Sequence, residues 1–251
     1  MQVSLREKSP VVHCITNQVV ANFQANGLLA IGASPIMGDE EEEVSELVSI
    51  SDVLSLNIGT LNNRTLESML VAGKAANQKG IPVVLDPVGV GATRYRLDAI
   101  KKLLDVVKVD LIRCNTGELA TLMQKDWHAK GVDAGEGEMD RKEVAMALAK
   151  QRKTLVVVTG EVDIVTDGND LKTVTNGHIS MTHVTGTGCL LSSVLGAHLT
   201  LLQKDQVRLL AEALSEYGSA GEEAAKVSES AGAFARAFLD QLSERRWQYD
   251  F

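Results

Sequence analysis

The chain has 251 residues, is 45% hydrophobic and carries 25 Lys and Arg against 33 Asp and Glu, a formal net charge of -8. That length and apolar content suffice for a sizeable core in one domain spanning residues 1–251, and the acidic balance argues against nucleic acid or an anionic membrane as the main partner. Cys14, Cys114 and Cys189 have no paired spacing, and residues 1–10 lack an apolar signal core, which together point to a cytoplasmic protein.

In chain order, Val11–Ile15 reads as a strand, residues 17–30 as a helix, 34–37 as a strand and 39–49 as a helix. The run Asp39-Glu40-Glu41-Glu42-Glu43 reads as the solvated, dipole-stabilised start of that last helix rather than as a metal site. Short apolar runs at Val53–Asn57 and 82–86 flank a helix over 62–79, and residues 110–113 form a further strand between helices. The Gly/Asp/Glu-rich piece 131–140 is expected to be a surface connector inside the domain, because strands resume beyond it. Leu155–Thr159 is the next strand; Asp163–Thr166 and 171–175 flank Asp167-Gly168-Asn169-Asp170 as a hairpin. From Gly188 the chain is helical to near its end, and its apolar helix, about 188–202, is too short to span a bilayer. Trp247, Tyr249 and Phe251 alternate at the C-terminus and either pack as a tail or fray. Continuous apolar strands alternating with helices define an α/β class: a central, mainly parallel sheet flanked by helices on both faces.

Ligands of such sheets bind beyond the carboxyl ends of the strands. Here those ends are polar: Thr16-Asn17, Met37-Gly38, Asn57-Ile58-Gly59, Asp86-Pro87, Arg113-Cys114-Asn115 and Thr159-Gly160. Asp86 and Glu118 suit Mg²⁺, directly or through water, and Arg113 suits phosphate; the ordinary alternatives are a turn cap and a helix-start acid. Taken together the cluster favours phosphoryl transfer. Val184-Thr185-Gly186-Thr187-Gly188-Cys189 precedes the long apolar helix, so its amides and the helix dipole form an anion site with the Cys189 thiol alongside; a plain helix start is the alternative. Gly73-Lys74-Ala75 lacks the rest of a P-loop, and Gly89-Val90-Gly91 lacks the third glycine of a dinucleotide fingerprint. His13, His128, His178, His183 and His198 show no ligand spacing; of these only His183 stands close enough to the glycine turn to line it.

These pieces, in this order, resemble the hydroxyethylthiazole kinase family of the ribokinase-like superfamily. The matching stretches are Ile15-Thr16-Asn17 through Asn22, Ala25-Asn26, Leu28-Leu29-Ala30 and Gly32-Ala33-Ser34-Pro35-Ile36-Met37, then Asn57-Ile58-Gly59-Thr60-Leu61 and Asp86-Pro87-Val88-Gly89-Val90-Gly91-Ala92-Thr93. Further on come Ile112-Arg113-Cys114-Asn115-Thr116-Gly117-Glu118, Lys130-Gly131-Val132-Asp133, Val158-Thr159-Gly160 and Thr185-Gly186-Thr187-Gly188-Cys189. The resemblance implies a ribokinase-like fold with no separate lid domain, and ATP- and Mg²⁺-dependent phosphorylation of the hydroxyl of 4-methyl-5-(2-hydroxyethyl)thiazole in thiamine biosynthesis and salvage. It also implies a homotrimer with thiazole sites at subunit interfaces. Carried over by motif, Met37 and Gly186 contact the thiazole with Asn17 nearby, Arg113 and Thr159 contact ATP, and Asp86 and Glu118 organise Mg²⁺. Cys114 departs from the Arg-Gly-Asn of many relatives and is expected to narrow local packing without removing a ligand.

Related sugar and pyrimidine kinases place an aspartate base after the Gly-x-Gly turn; here, as in the thiazole kinases, Cys189 stands there. A thiol is mostly protonated at neutral pH unless the helix N-terminus depresses its pKa, so Cys189 reads either as a weak base or as a small residue with no proton to move. Two other functions remain compatible with the residues: a kinase for a hydroxymethylpyrimidine or pyridoxal alcohol, and a non-catalytic thiazole- or nucleotide-binding protein.

Overall fold

Every strand expected in the βα succession forms, and alternating side chains along each strand decide which helices cover which face. The computed structural model describes residues 2–126, 128–130, 133–136, 139–202 and 204–251. The chain begins β1 (Gln2–Ser4), α1 (Leu5–Lys8), β2 (Val11–Ile15), α2 (Ala21–Ile31), β3 (Ser34–Ile36), α3 (Val44–Ser49), β4 (Val53–Asn57) and α4 (Asn63–Lys79). It continues β5 (Val83–Asp86), α5 (Arg94–Val106), β6 (Leu111–Asn115), α6 (Thr116–Leu122), β7 (His128–Lys130), β8 (Asp133–Glu136) and α7 (Arg141–Arg152). Last come β9 (Leu155–Thr159), β10 (Asp163–Thr166), β11 (Leu171–Val174), a 3₁₀ turn over Ile179–His183, α8 (Thr187–Leu199), α9 (Gln206–Val227), α10 (Ala231–Glu244) and β12 (Gln248–Asp250).

Eight strands make one sheet in the order β11-β10-β9-β6-β5-β4-β2-β3. The six from β9 to β3 run parallel, while β10 and β11 add antiparallel at one edge. Val12, Val53, Val84, Leu111 and Val157 point to one face, where they meet α2, α8, α9 and α10. Leu54, Leu56, Val83, Leu85, Ile112 and Val158 point to the other, covered by α3 to α7. Both faces are therefore dry, as the near-continuous apolar strands require. The helix expected from its apolar run, α8, has every residue from Leu190 to Leu199 buried because α2, α9 and the sheet enclose it. Among the described residues no helix is long and apolar enough to cross a membrane.

Two helix starts differ from expectation. The helix expected from residue 17 starts at Ala21, because Asn17 instead turns the chain, its Oδ1 accepting the Val20 amide at 3.2 Å. The helix expected from Asp39 starts at Val44: Glu40 opens the turn before it, its carbonyl accepting the Glu43 and Val44 amides at 3.1 and 3.0 Å, while Asp39 and Glu40 pair with the Arg64 guanidinium at 3.0 and 3.3 Å. At the C-terminus β12 pairs antiparallel with β1, so the aromatic tail is packed, with Trp247 and Tyr249 buried. Of the connector expected over 131–140, Gly131, Val132, Gly137 and Glu138 lie outside the described residues, as does Gly131-Val132 of the matched motif; within it Asp133–Glu136 forms β8, which pairs antiparallel with the preceding β7.

His198, on α8, packs edge-on against Trp247 and Tyr249, both at 5.5 Å between ring centres. Its Nδ1–H donates to the Val194 carbonyl at 2.7 Å, so Nε2 accepts from the Tyr249 hydroxyl at 2.9 Å and the ring is neutral. Burial pushes its pKa from 6.5 down to about 4, against the Val194 bond that raises it. Below 6.5 the unfolded chain takes up a proton that the folded one refuses down to about 4, so this stability is present above 6.5 and lost as pH falls through that window. The full contribution is about 3 kcal/mol. A His198→Gln chain is expected to melt lower at pH 7 yet to lose less melting temperature between pH 6.5 and 4 than the wild type. Parallel pH profiles would refute this role for the ring.

Candidate active site

The rows of side chains that face α8 change character at their last position. Val53 and Ser55 lead to Asn57 on β4, Val84 to Asp86 on β5, Leu111 to Arg113 on β6, and Val157 to Thr159 on β9. The registers Asn57↔Asp86 and Asn115↔Thr159 hold these ends level, so one polar edge lies against the N-terminus of α8. Asp86 is fully buried. Its Oδ2 accepts from Asn57 Nδ2 and from Ser192 Oγ, each at 2.8 Å, while Oδ1 has no hydrogen-bond partner and lies 3.9 Å from Arg113 Nη1. Asn57 Oδ1 in turn accepts from Asn17 Nδ2 at 2.9 Å, and Asn17 Nδ2 reaches Cys189 Sγ at 3.5 Å.

Gly186 caps α8 at φ 100°, a left-handed conformation that glycine adopts without strain, and no side chain caps the first-turn amides. Those donors and the positive end of the helix dipole are thus open to an anion. Gly188 has no side chain because the Arg113 guanidinium lies over it: a Cβ there would sit 2.8 Å from Nη1. Arg113 Nη2 donates to Thr159 Oγ1 at 2.6 Å, and Thr159 Oγ1 donates to the Cys114 carbonyl at 3.4 Å. The Cys114 thiol itself points away into the opposite face, so the cysteine tightens packing there and leaves Arg113 and Asn115 on the site.

Glu118 closes a capping box with Asn115: its Oε2 accepts the Asn115 amide at 2.8 Å, and its Oε1 accepts the Gly89 amide at 2.8 Å. The helix-start role is therefore present, and it holds the carboxylate at the site; each oxygen keeps a further acceptor position. Burial, then the Asp86 charge, push the Glu118 pKa up to about 7. Asp86 is raised by burial as well, opposed by Arg113, Ser192 and Asn57. Among the described residues no group of three or more His, Cys, Asp or Glu surrounds a metal position. Two carboxylates suit Mg²⁺, which takes most of its oxygens from water and phosphate, and Asp86 Oδ1, without a hydrogen bond and paired only at 3.9 Å with Arg113, has lone pairs to offer it. The Cys189 thiol departs from the depression that a helix N-terminus produces. Burial and then Asp86 drive it up to about 12, against Arg113, Asn57 and Asn17.

Asn17, Asp86, Arg113, Glu118, Thr159, Gly186 and Cys189 are thus brought to one edge. Met37 stands at the end of β3, on the outer flank beside β2, where His13 Nε2 donates to the Gly38 carbonyl at 2.8 Å. His183 is exposed in the 3₁₀ turn. Sequence reasoning did not assign Ser192, which anchors Asp86, nor Val20 and Phe23, which flank Gly186 at 3.0 and 3.2 Å from where its Cβ would be. A serine inside an apolar helix was the available signal for Ser192. A cavity of about 1050 Å³ opens elsewhere, at the amino edge around Pro82, Asp110 and Leu155, away from these groups.

The mainly parallel sheet covered by helices on both faces is a ribokinase-like fold. A ribokinase-like superfamily protein from Enterococcus faecalis V583 shares the fold with TM-score 0.68 at 12% identity, covering 93% of this chain and 86% of that one. More specifically, the chain belongs to the hydroxyethylthiazole kinase family, whose model matches residues 3–246. It is 50% identical to a hydroxyethylthiazole kinase of Lysinibacillus sphaericus strain C3-41 over 95% of this chain and 93% of the relative. A solved hydroxyethylthiazole kinase protein from Pyrococcus horikoshii OT3 matches with TM-score 0.87 and 38% identity, covering 96% and 91% of the two chains.

Gly188→Ala tests the contact beneath Arg113. Alanine favours the helix by up to about 1 kcal/mol over glycine, so melting should hold, while the displaced guanidinium should weaken ATP binding by roughly tenfold, the scale of one charged hydrogen bond. Calorimetric titration with ATP showing wild-type affinity would refute it.

Proposed function

We propose that this chain, acting from one domain, transfers the terminal phosphoryl group of ATP to the side-chain hydroxyl of 4-methyl-5-(2-hydroxyethyl)thiazole, giving the thiazole phosphate and ADP in thiamine biosynthesis. The observation that carries the reading is the order of polar ends along the edge: Met37 and Asn17 on the flank of β3 and β2, Asp86 in the middle on β5, Arg113 and Thr159 on the flank of β6 and β9. An acceptor alcohol on the first flank and a nucleotide on the second meet beside Asp86 and Cys189.

In this reading Met37, Gly186 and Asn17 bind and orient the thiazole, with Val20 and Phe23 as apolar walls. Arg113 and Thr159 bind ATP, and the amides of the α8 turn receive the transferring phosphate as its charge develops. Asp86 and Glu118 hold Mg²⁺, which neutralises phosphate charge when bound. A thiol pushed up to about 12 keeps its proton at neutral pH. Cys189 Sγ therefore accepts the Asn17 amide and shapes the niche for the acceptor oxygen rather than withdrawing a proton from it. A loose, positioning-driven transfer tolerates a weak base or none.

Family resemblance also supports a homotrimer in which a neighbouring subunit covers the thiazole and excludes water. Light scattering is expected to show a trimer, and a fully active monomer would remove the cover from the interface.

With ATP and Mg²⁺, the purified protein is expected to release ADP and yield thiazole phosphate by mass spectrometry. Turnover of a hydroxymethylpyrimidine or pyridoxal alcohol in its place would overturn the substrate. Cys189→Ala should cost less than the 10²–10⁴-fold that general-base assistance typically supplies, roughly tenfold or below. A larger loss with unchanged ATP affinity would make Cys189 the base.

A further inference from the structure

Thr159 and Gly160, at the end of β9, are flanked by two guanidiniums. One is Arg113. The other is Arg141, the first residue of α7, whose Nη2 donates to the Val162 carbonyl at 2.9 Å and whose Nη1 reaches Thr116 Oγ1 at 3.4 Å. It lies across Gly160 so closely that a Cβ there would come within 2.5 Å of Nη1. Both arginines are within electrostatic reach of Asp163, whose Oδ1 is occupied by the Gly160 amide at 2.9 Å.

Arg141 beside Gly160 has donors to spare. Its two hydrogen bonds go to neutral oxygens, and among the described residues no carboxylate stands within salt-bridge distance of it. A guanidinium carries five N–H donors, so most of its capacity is uncommitted.

We propose that Arg141 is a second phosphate-binding cation for ATP, holding the part of the phosphate chain remote from the acceptor. The proposal rests on the kinase reading above. Strand order supplies the placement: β9 lies two strands from β5, about 10 Å at the usual strand spacing, so a phosphate chain whose terminal group is at Asp86 extends past Arg113 toward Gly160. In a chain of net charge -8, a polyanion needs cations placed locally, and these two arginines bracket its path. Arg113 serves the reacting end and Arg141 the other, so Arg141 contributes to ATP and ADP alike.

Calorimetric titration of the wild type, Arg141→Gln and Arg141→Lys with ATP, ADP and adenosine tests this. Arg141→Gln is expected to weaken ATP and ADP equally, by roughly tenfold on the scale of one charge-assisted hydrogen bond, with adenosine affinity and melting temperature unchanged. Arg141→Lys should recover part of the loss. Undiminished ATP affinity in Arg141→Gln overturns the proposal, as does an equal loss for adenosine, which would make the effect structural. Weakening of ATP without weakening of ADP would overturn the placement at the remote end. Failure of the wild type itself to bind ATP would instead overturn the kinase reading, a separate result read in the same experiment.

Discussion

One oxygen of the buried Asp86 carboxylate is bonded twice and the other not at all, and the elements around it are arranged to keep it so. Holding Oδ2 requires Asn57 from β4 and Ser192 from α8, which fixes the depth of the helix beneath the sheet edge. The next residue, Ser193, sets its rotation: its hydroxyl meets Ser55 at 2.8 Å and the Cys14 thiol at 3.6 Å, and takes the Gln24 amide as well. This layer of hydrogen bonds interrupts an otherwise apolar face. Nonpolar contacts alone would let α8 slide or turn among equivalent packings, whereas buried polar pairs fit in a single register.

The same burial controls the charges. Desolvation raises Asp86, Glu118 and Cys189 together, so burial disfavours their charged forms by more than Arg113 restores. A cation held by these carboxylates would relieve that imbalance, and a phosphate would then find amides of the α8 turn already oriented. In the thiol, desolvation by burial and then the Asp86 charge outweigh the lowering by Arg113, Asn57 and Asn17.

Much of the site was legible from the chain alone because its residues end strands. An apolar run stopping at Asn57, Asp86, Arg113 or Thr159 announces both the strand and the edge where its last side chain emerges. The glycine turn and apolar run likewise announced α8. Arg141 gave no such sign: it follows an ordinary Asp140 cap, and only the fold of β9 against α7 carries it to Gly160. Ser192 was visible as a serine in an apolar helix, but its partner is 106 residues away.

Local periodicity and capping therefore determined by themselves the succession of strands and helices, the two dry faces of the sheet and the polar edge, since each depends on residues a few positions apart. Tertiary structure decided where local signals competed or were silent. Arg64 paired with Asp39 and Glu40 ahead of a helix that starts only at Val44, β1 claimed the tail as β12, and Gly89 occupied an oxygen of Glu118 from 29 residues away. The charge state of Cys189 belongs to this second group, because desolvation is set by what packs around an atom, and that packing is assembled from segments far apart in the chain.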